Sequence, residues 1–162
     1  MEVVVVEQTN MRVYLNLLQG YEAEFSKITG KLPNHMGLFD LDTELVDNVF
    51  GLLCYLEGKP IGFAAIKQVA SKQFEVCEFY IVPSLREQGL GSRFASWIWQ
   101  HYGGAWQIKQ IAGAGKATQF WRNAITSFNA NYSETKINDE YWGEVTQQSF
   151  NTEAQNSQVN SL

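Results

Sequence analysis

The chain has 162 residues, of which 45% are hydrophobic and 14% aromatic, so it is long and apolar enough to bury a core. Its formal net charge of -5 argues against general binding to nucleic acid, which requires a basic surface. Four consecutive valines at 3–6 are too few for a signal peptide or a membrane span. We therefore expect a cytoplasmic protein that binds neither nucleic acid nor membranes. Its two histidines are too few to predict a metal site.

The order of apolar patterns predicts strands and helices that alternate along most of the chain. The first helix carries apolar residues at helical spacing from Met11 to Ile28, and Gly20 within it marks a kink or a break. Shorter helices are predicted at 40–48, 90–102 and 116–128. The predicted strands are 3–6, 50–56, 61–69, 74–82, 106–111, 132–137 and 141–150.

Hairpins beside strand–helix–strand crossovers predict an α/β fold with a mixed sheet and helices on its faces. The chain shows no internal repeat and no linker, so we predict a single domain over residues 1–150. Residues 151–162 are rich in Asn, Gln and Ser and lack apolar periodicity, which predicts a flexible C-terminal tail.

The most informative stretch is the loop 86–92, Arg-Glu-Gln-Gly-Leu-Gly-Ser, which joins the predicted strand 74–82 to the helix that follows. The first turn of a helix leaves backbone N–H groups without partners, and its dipole is positive there. Gly89 and Gly91 let the backbone approach a phosphate, and Arg86 adds a positive charge. The pattern therefore indicates an anion site, with a simple strand-to-helix turn as the alternative.

The spacing Arg86-x-x-Gly89-x-Gly91 resembles the acyl-CoA pyrophosphate signature of the GNAT family of N-acetyltransferases, R/Q-x-x-G-x-G/A. The strand before it carries an acidic residue, Glu78, where many of these enzymes have one. The segments 106–110 and 117–122 also resemble the continuation of the signature in one acetyltransferase subgroup. The resemblance covers residues 50–128 well, covers the N-terminal helices loosely and does not extend to the last dozen residues.

The resemblance implies that acetyl-CoA is the co-substrate and that the protein has the mixed-sheet acetyltransferase fold. In the family, CoA lies where two parallel strands splay apart, which would be the strand ending near Val82 and the strand 106–111. The pantetheine arm pairs with strand backbone, and one N–H polarises the thioester carbonyl. Core packing alone is the alternative for the strand residues. The implied cofactor-binding residues are Tyr80, Ile81, Val82, Arg86, Gln88, Gly89, Leu90, Gly91, Ser92 and Trp121.

Glu78 is the candidate catalytic base. An amine nucleophile is protonated near neutral pH, and a carboxylate can accept the proton that it must lose. On strict alternation Glu78 shares a strand face with Val76, Tyr80 and Val82, so partial desolvation is expected to raise its pKa. The alternative is a structural ion pair between Glu78 and an Arg or Lys.

The resemblance places the acceptor pocket against the N-terminal helices, which implies substrate-binding roles for Tyr21, Glu22 and Phe25. Aromatic and acidic side chains together suit a cationic amine, although packing roles are the alternative. We predict an N-acetyltransferase that moves an acetyl group to the primary amine of a small molecule or a peptide by direct transfer in a ternary complex.

Two departures from the family pattern keep another function open. Many members protonate the leaving thiolate with a Tyr of the last helix, where this chain has Phe120-Trp121, and an Asn commonly stands near the position of Ala114. The alternative is therefore a sensor or interaction module that binds acyl-CoA without catalysis. The oligomeric state is open, and a homodimer is one of the alternatives.

Overall fold

A computed structural model describes residues 1–128 and 131–153. The helices are α1 Met11–Thr29, α2 Leu90–His101 and α3 Gly115–Ser127, with a 3-10 turn at Pro83–Leu85. The strands are β1 Glu2–Val5, β2 Val49–Leu56, β3 Lys59–Ala70, β4 Gln73–Ile81, β5 Ala105–Ile111, β6 Tyr132–Asp139 and β7 Gly143–Asn151. Every strand predicted from the sequence is present, with ends that differ by at most two residues. Among the described residues, no helix combines the length and the hydropathy needed to cross a bilayer.

The strands form one mixed sheet, in the order β1-β2-β3-β4-β5-β7-β6. Strand β4 pairs with β5 in parallel over Gln73–Val76, while β1–β2, β2–β3, β5–β7 and β6–β7 are antiparallel pairs. The parallel pair needs a crossover connection, and α2 lies in the chain between its two strands. The predicted α/β fold with a mixed sheet flanked by helices is therefore confirmed.

The chain divides into two compact units. Unit 1 consists of Met1–Lys67 and Cys77–Gln88, and unit 2 consists of Gln68–Val76 and the described residues from Gly89 onward. The three boundaries along the chain therefore fall within β3, within β4 and within the loop 86–92. The prediction of a single domain over residues 1–150 stays a prediction.

Helix α1 contributes one buried stripe to unit 1. Tyr14, Leu18 and Glu22 are its buried residues, and a spacing of four places them on the same face of the helix. The apolar part of this stripe packs against Leu53, Phe63 and Tyr80. The expected break at residue 20 is wrong, because α1 is continuous there, whereas the expected kink stays a prediction. A Cβ atom on Gly20 would lie 3.3 Å from the Tyr80 hydroxyl oxygen, so glycine allows a close approach.

The predicted helix 40–48 is wrong, since residues 30–48 form neither helix nor strand. Side chains of α1 hold the backbone of this segment instead. The Gln19 amide donates to the Phe39 carbonyl at 3.0 Å and accepts from the Phe39 N–H at 2.8 Å. Glu22 accepts from the Asp42 N–H at 3.1 Å. Backbone groups that find side-chain partners do not need the hydrogen bonds of a helix.

Unit 2 has an aromatic core. The rings of Phe74 and Trp106 stack with centroids 4.8 Å apart, in the part of β4 that pairs with β5. Trp99 of α2 meets the edge of Phe150 at 5.0 Å and the tilted ring of Trp121 at 6.1 Å. Aromatic pairs in these arrangements contribute beyond their burial alone. The core therefore ties α2 and α3 to β7.

The end of the described chain is held in place. Asn151 belongs to β7, and Thr152 is buried with its hydroxyl oxygen 2.9 Å from the Gly104 N–H. Glu153 pairs with Lys72 at 2.6 Å. Three residues of the predicted flexible tail are thus fixed by contacts, and residues 154–162 lie outside the described residues.

Replacing Gly62 with Ala should destabilise unit 1. A Cβ atom there would lie 2.3 Å from the Tyr80 carbonyl oxygen and 2.7 Å from Ile81 Cδ1, so β3 or β4 would have to shift. We expect a loss of about 1–3 kcal/mol in the free energy of unfolding, measured by urea denaturation. The control is Gly115→Ala, where no atom lies within 4 Å of the added carbon. Equal losses in the two variants would contradict this account of the strand packing.

Candidate active site

Strand β4 places Glu78 in the interior of unit 1. Glu78 and Tyr80 lie on the buried face of the strand, as alternation predicts. The Glu78 side chain is 3% exposed, and neither carboxylate oxygen has a hydrogen-bond partner within the described residues. The sequence left open a structural ion pair between Glu78 and an Arg or Lys. No such pair is found within the described residues. An unpaired buried carboxyl group is costly, which makes Glu78 a candidate for a functional role.

The surroundings of Glu78 favour its protonated form. Burial raises the pKa of Glu78 from 4.5 to about 8, although the nearby Thr43 hydroxyl group acts in the opposite direction. The negative charges of Glu22 and Asp42 raise this pKa further, whereas the positive charge of Lys31 lowers it. A carboxyl group with a pKa near the working pH can take up and release a proton readily, as a general base must.

The ammonium group of Lys31 is bound by three oxygen atoms. It donates to Glu22 Oε2 at 3.0 Å, to Asp42 Oδ1 at 2.7 Å and to the carbonyl oxygen of Asp40 at 2.9 Å. Burial opposes the charged form of Lys31, but the hydrogen bonds to Asp42 and Glu22 outweigh it and raise the pKa of Lys31. The second carboxylate oxygen of Asp42, Oδ2, is buried without a hydrogen-bond partner among the described residues.

Aromatic rings border the acidic group, which consists of Glu22, Asp42 and Glu78 with Lys31. Tyr21 stacks on Phe25 with centroids 5.4 Å apart and meets Tyr80 edge-on at 6.2 Å. Tyr14 meets the edge of Phe63 at 5.1 Å, and its buried hydroxyl group has no hydrogen-bond partner within the described chain. Burial raises the pKa of both Tyr14 and Tyr21 above the usual range, and the charge of Glu78 acts in the same direction. The two phenols are therefore neutral neighbours of Glu78.

Hydrogen bonds within unit 1 hold the end of β4 in place. The Val82 N–H donates to the Ile61 carbonyl at 2.8 Å, and the Ile81 carbonyl accepts from Arg86 Nε at 2.8 Å. Because strand hydrogen bonds alternate in direction, the N–H of Ile81 points to the side of β4 away from Ile61. Of the backbone groups predicted to contact pantetheine, two are thus engaged within the chain, and the roles of Tyr80, Ile81 and Val82 stay predictions.

Arg86 is fixed by neighbours on three sides. Its guanidinium group forms a bidentate pair with the Glu24 carboxylate, at 2.5 Å and 2.8 Å. It also lies 5.3 Å from the centre of the Tyr80 ring, a cation–π contact. The positive charge predicted to hold a phosphate is therefore shared with Glu24, which the sequence did not indicate. A bidentate pair also orients the guanidinium group and the loop that carries it.

The N-terminus of α2 is open. Gly89 precedes the helix with φ 75, and no side chain caps the first turn. A Cβ atom on Gly89 would meet nothing within 4 Å. Glu87 also has a positive φ, 61, an uncommon value outside glycine that turns the loop backbone sharply. Uncapped N–H groups at the start of a twelve-residue helix suit an anion.

The remaining predicted cofactor residues differ in their surroundings. Gln88 is exposed, and its amide donates to the Ser84 carbonyl at 3.3 Å. Leu90 is buried, whereas Gly91 and Ser92 are partly buried in the first turn of α2. Trp121 is 5% exposed and packs in the aromatic core of unit 2, which supports a packing role for this residue, while its predicted role in cofactor binding stays a prediction.

The structure brings the predicted base and the predicted acceptor residues together in unit 1. The charge of Glu22 raises the pKa of Glu78, and the charge of Glu78 raises the pKa of Tyr21. Phe25 stacks on Tyr21. Sequence reasoning missed Lys31 and Asp42. Asp42 was assigned to a helix that does not form, and a lysine in a loop carries no periodic signal that could have shown its partners.

Comparison with known families identifies the fold and its chemistry. The family model described as "Acetyltransferase (GNAT) family" matches residues 15–121, about two-thirds of the chain. The chain therefore belongs to the GNAT family of acetyltransferases. No curated protein sequence matches it significantly.

Solved structures with the same fold include enzymes with very different acceptors. A variant of spermidine N-acetyltransferase from Vibrio cholerae aligns with a TM-score of 0.64 at 10% identity, covering 99% of this chain and 100% of that one. The ribosomal-protein-S18-alanine N-acetyltransferase from Escherichia coli aligns with a TM-score of 0.61 at 12% identity, covering 93% of each chain. An acetyltransferase from Bacillus subtilis in complex with CoA aligns with a TM-score of 0.58 at 8% identity, covering 93% and 97%. At these identities the likeness shows the fold alone.

Acetyl-CoA, the acetyl donor of the family, is the co-substrate, and the loop 86–92 fits its pyrophosphate. The fit rests on the uncapped first turn of α2 and on the open space at Gly89. Gly89, Gly91 and Ser92 are the residues whose N–H groups would hold the two phosphates.

Replacing Gly89 with Ala should weaken acetyl-CoA binding more than it weakens the fold. The new methyl group enters the open space above the loop, and φ 75 disfavours any residue with a Cβ atom. The matched control is Gly58→Ala in the β2–β3 turn, with φ +74 and equally open space. Each variant should lose about 1 kcal/mol of stability. Only Gly89→Ala should lose affinity in isothermal titration calorimetry, and equal affinities would remove the loop from the binding site.

Replacing Glu78 with Gln should stabilise the protein at alkaline pH. Because burial raises the folded-state pKa to about 8, the folded state binds more protons than the unfolded state between pH 4.5 and 8. Stability of the natural protein therefore falls as pH rises through this window, and the variant should lack that fall. We expect Glu78→Gln to be more stable by about 1–3 kcal/mol at pH 9, with the difference shrinking toward pH 5. A variant less stable than the natural protein at pH 9 would show a structural role for Glu78.

Proposed function

We propose that this protein transfers the acetyl group of acetyl-CoA directly to the primary amine of a small molecule or a peptide, within a ternary complex. The observation that carries the proposal is the carboxyl group of Glu78, which is buried and unpaired, with a pKa of about 8. A proton acceptor next to an amine is the purpose that suits this chemistry best.

The proton balance of the reaction assigns a clear task to Glu78. The acceptor enters as an ammonium ion, and its first proton passes to the Glu78 carboxylate. The free amine nitrogen then attacks the thioester carbonyl carbon of acetyl-CoA, which supplies the activated acetyl group. The C–N bond forms, the C–S bond breaks, and the second amine proton leaves with the CoA sulfur. Glu78 finally releases its proton to solvent and is ready for the next turnover.

The charge of the acidic group supports a cationic acceptor. Glu22, Asp42 and Glu78 face one opposing charge, that of Lys31, so the group carries an excess of negative charge when Glu78 is ionised. Within this acidic group, both oxygens of Glu78 and Oδ2 of Asp42 are buried without hydrogen-bond partners in the described chain. An ammonium group has three N–H donors, which these oxygens could accept. The stacked rings of Tyr21 and Phe25 provide faces for the positive charge.

The predicted direct contact between Glu22 and the acceptor stays part of the proposal in a weaker form. Both oxygens of Glu22 are occupied, one by Lys31 and the other by the Asp42 N–H. Its negative charge still acts on Glu78. We therefore assign Glu22 to the charge of the acceptor site and the contact itself to Glu78 and Asp42.

Replacing Glu78 with Gln should remove the base and keep the shape of the side chain. We expect kcat with acetyl-CoA and an active amine to fall by about 10²–10⁴-fold at pH 7.5, while acetyl-CoA affinity is unchanged. In the natural protein kcat/KM should rise as pH increases toward about 8, where the Glu78 carboxylate forms, and in the variant the rise should follow the ionisation of the amine alone. Thiol release measured over a panel of amines provides the assay.

The control is Glu75→Gln, three residues earlier in β4, where the carboxylate pairs with Lys109 at 3.4 Å. It should keep the rate and the pH profile of the natural protein. A Glu78→Gln variant with unchanged kcat would reject Glu78 as the base. If acetyl-CoA binds but no amine in the panel releases thiol, the alternative of a non-catalytic acyl-CoA-binding module replaces the proposal.

A further inference from the structure

Lys31 combines two properties that are seldom found in one surface lysine. All three of its N–H donors have oxygen partners, at 2.7 to 3.0 Å, and its side chain is only 22% exposed. One partner, Glu22, is 1% exposed, and the other carboxylate, Asp42, is 11% exposed. The ion pairs of Lys31 with Glu22 and Asp42 are therefore not solvated surface contacts, because little water can reach the two carboxylates and replace Lys31.

The ammonium of Lys31 is not shared equally among the nearby carboxylates. It hydrogen-bonds to Glu22 and Asp42, and no hydrogen bond joins it to Glu78 within the described residues. Its charge nevertheless reaches Glu78, since it lowers the pKa of that group while Glu22 and Asp42 raise it. The charged and titratable groups that face Glu78 are Tyr14, Glu22 and Tyr21 of α1, and Lys31 and Asp42 of the segment 30–48.

We propose that Lys31 is a positioning residue of the acceptor site, which neutralises Glu22 and Asp42 and so leaves Glu78 as the carboxylate of this group without a counter-ion. The inference rests on the proposed role of Glu78 as the proton acceptor. Without Lys31, three carboxylates would compete for the charge of an incoming ammonium. With it, two of them are already satisfied, and Glu78 is the group left to receive a proton.

Lys31 also helps to hold Asp42, and Thr43 next to it in the chain, in place. Residues 30–48 have no helix or strand to fix them, and their links to α1 include the Gln19 amide at Phe39 and the Lys31 bridge between Glu22 and Asp42. The Thr43 hydroxyl group, which acts on Glu78, follows directly in the chain. The ammonium group therefore binds two of the charges near the base and, together with Gln19 and Glu22, holds the segment beside it.

The test is a direct titration of the Glu78 carboxyl carbon by ¹³C NMR, assigned with Glu78→Gln. Lys31→Met removes a positive charge and should raise the pKa of Glu78 by roughly half a pH unit or more. Glu22→Gln keeps the shape and an acceptor for the Asp42 N–H while removing a negative charge, so it should lower the pKa of Glu78. The double variant should return toward the natural value, because the two changes oppose each other.

Lys27→Met is the matched control, since Lys27 is an exposed lysine in the last turn of α1 and should leave the Glu78 titration unchanged. A purely structural tether predicts lower stability in Lys31→Met with no opposite shifts in the two single variants. An unchanged or lowered Glu78 pKa in Lys31→Met overturns the proposal. If that variant does not fold, Glu22→Gln decides alone: a lowered pKa supports the proposal and an unchanged or raised one overturns it.

The pH dependence of kcat/KM for the same variants separates this inference from the proposed function. If Glu78 is the base, the acidic limb should move to higher pH in Lys31→Met and to lower pH in Glu22→Gln, in step with the NMR titration. NMR shifts in the expected directions together with an unmoved kinetic profile would leave the role of Lys31 standing and reject Glu78 as the base.

Discussion

One positive charge and three carboxylates determine how the interior of unit 1 is arranged. Lys31 satisfies Glu22 and Asp42 with short hydrogen bonds, and Glu78 is left without a partner in the described chain. Burying an ionised carboxylate without a counter-ion is expensive, so the group takes up a proton instead and its pKa rises to about 8. Burying Glu78 without a counter-ion costs stability. The same burial raises the pKa of the carboxyl group, so that it is basic enough to take a proton from an amine.

The rest of unit 1 keeps this arrangement intact. Helix α1 supplies Glu22 on the same buried stripe as Tyr14 and Leu18, so the packing of the helix fixes the position of the carboxylate. Gly20 lets the hydroxyl end of Tyr80 approach the helix. Groups held by well-packed neighbours keep their geometry during reaction, which is what a catalytic base requires. The loop 86–92 follows β4 in the chain, and its role in holding acetyl-CoA stays a prediction.

The sequence predicted the regular elements well because strong periodic signals and glycine turns define them. Glu78 and the loop 86–92 were identified because a strand, a charged residue and a glycine spacing stand in an order that the family shares. The helix at 40–48 was predicted wrongly, because the conformation of this part of the chain depends on side chains of α1 that are far away in the chain, such as Gln19 and Glu22. For the same reason the pairs Lys31–Asp42 and Arg86–Glu24 could not be foreseen, since the two partners are separated by 11 and 62 positions.

The central claim is that Glu78 removes a proton from an ammonium acceptor, and the most direct test varies the basicity of the acceptor. The measurement is the ratio of kcat/KM of the natural protein to that of Glu78→Gln at pH 7.5, over primary amines of similar size and graded pKa. For amines that are protonated at this pH the ratio should be about 10²–10⁴, and it should fall toward one as the amine pKa drops below 7.5. A ratio that stays constant across the series would contradict the account, because the loss would then not depend on a proton that Glu78 has to remove.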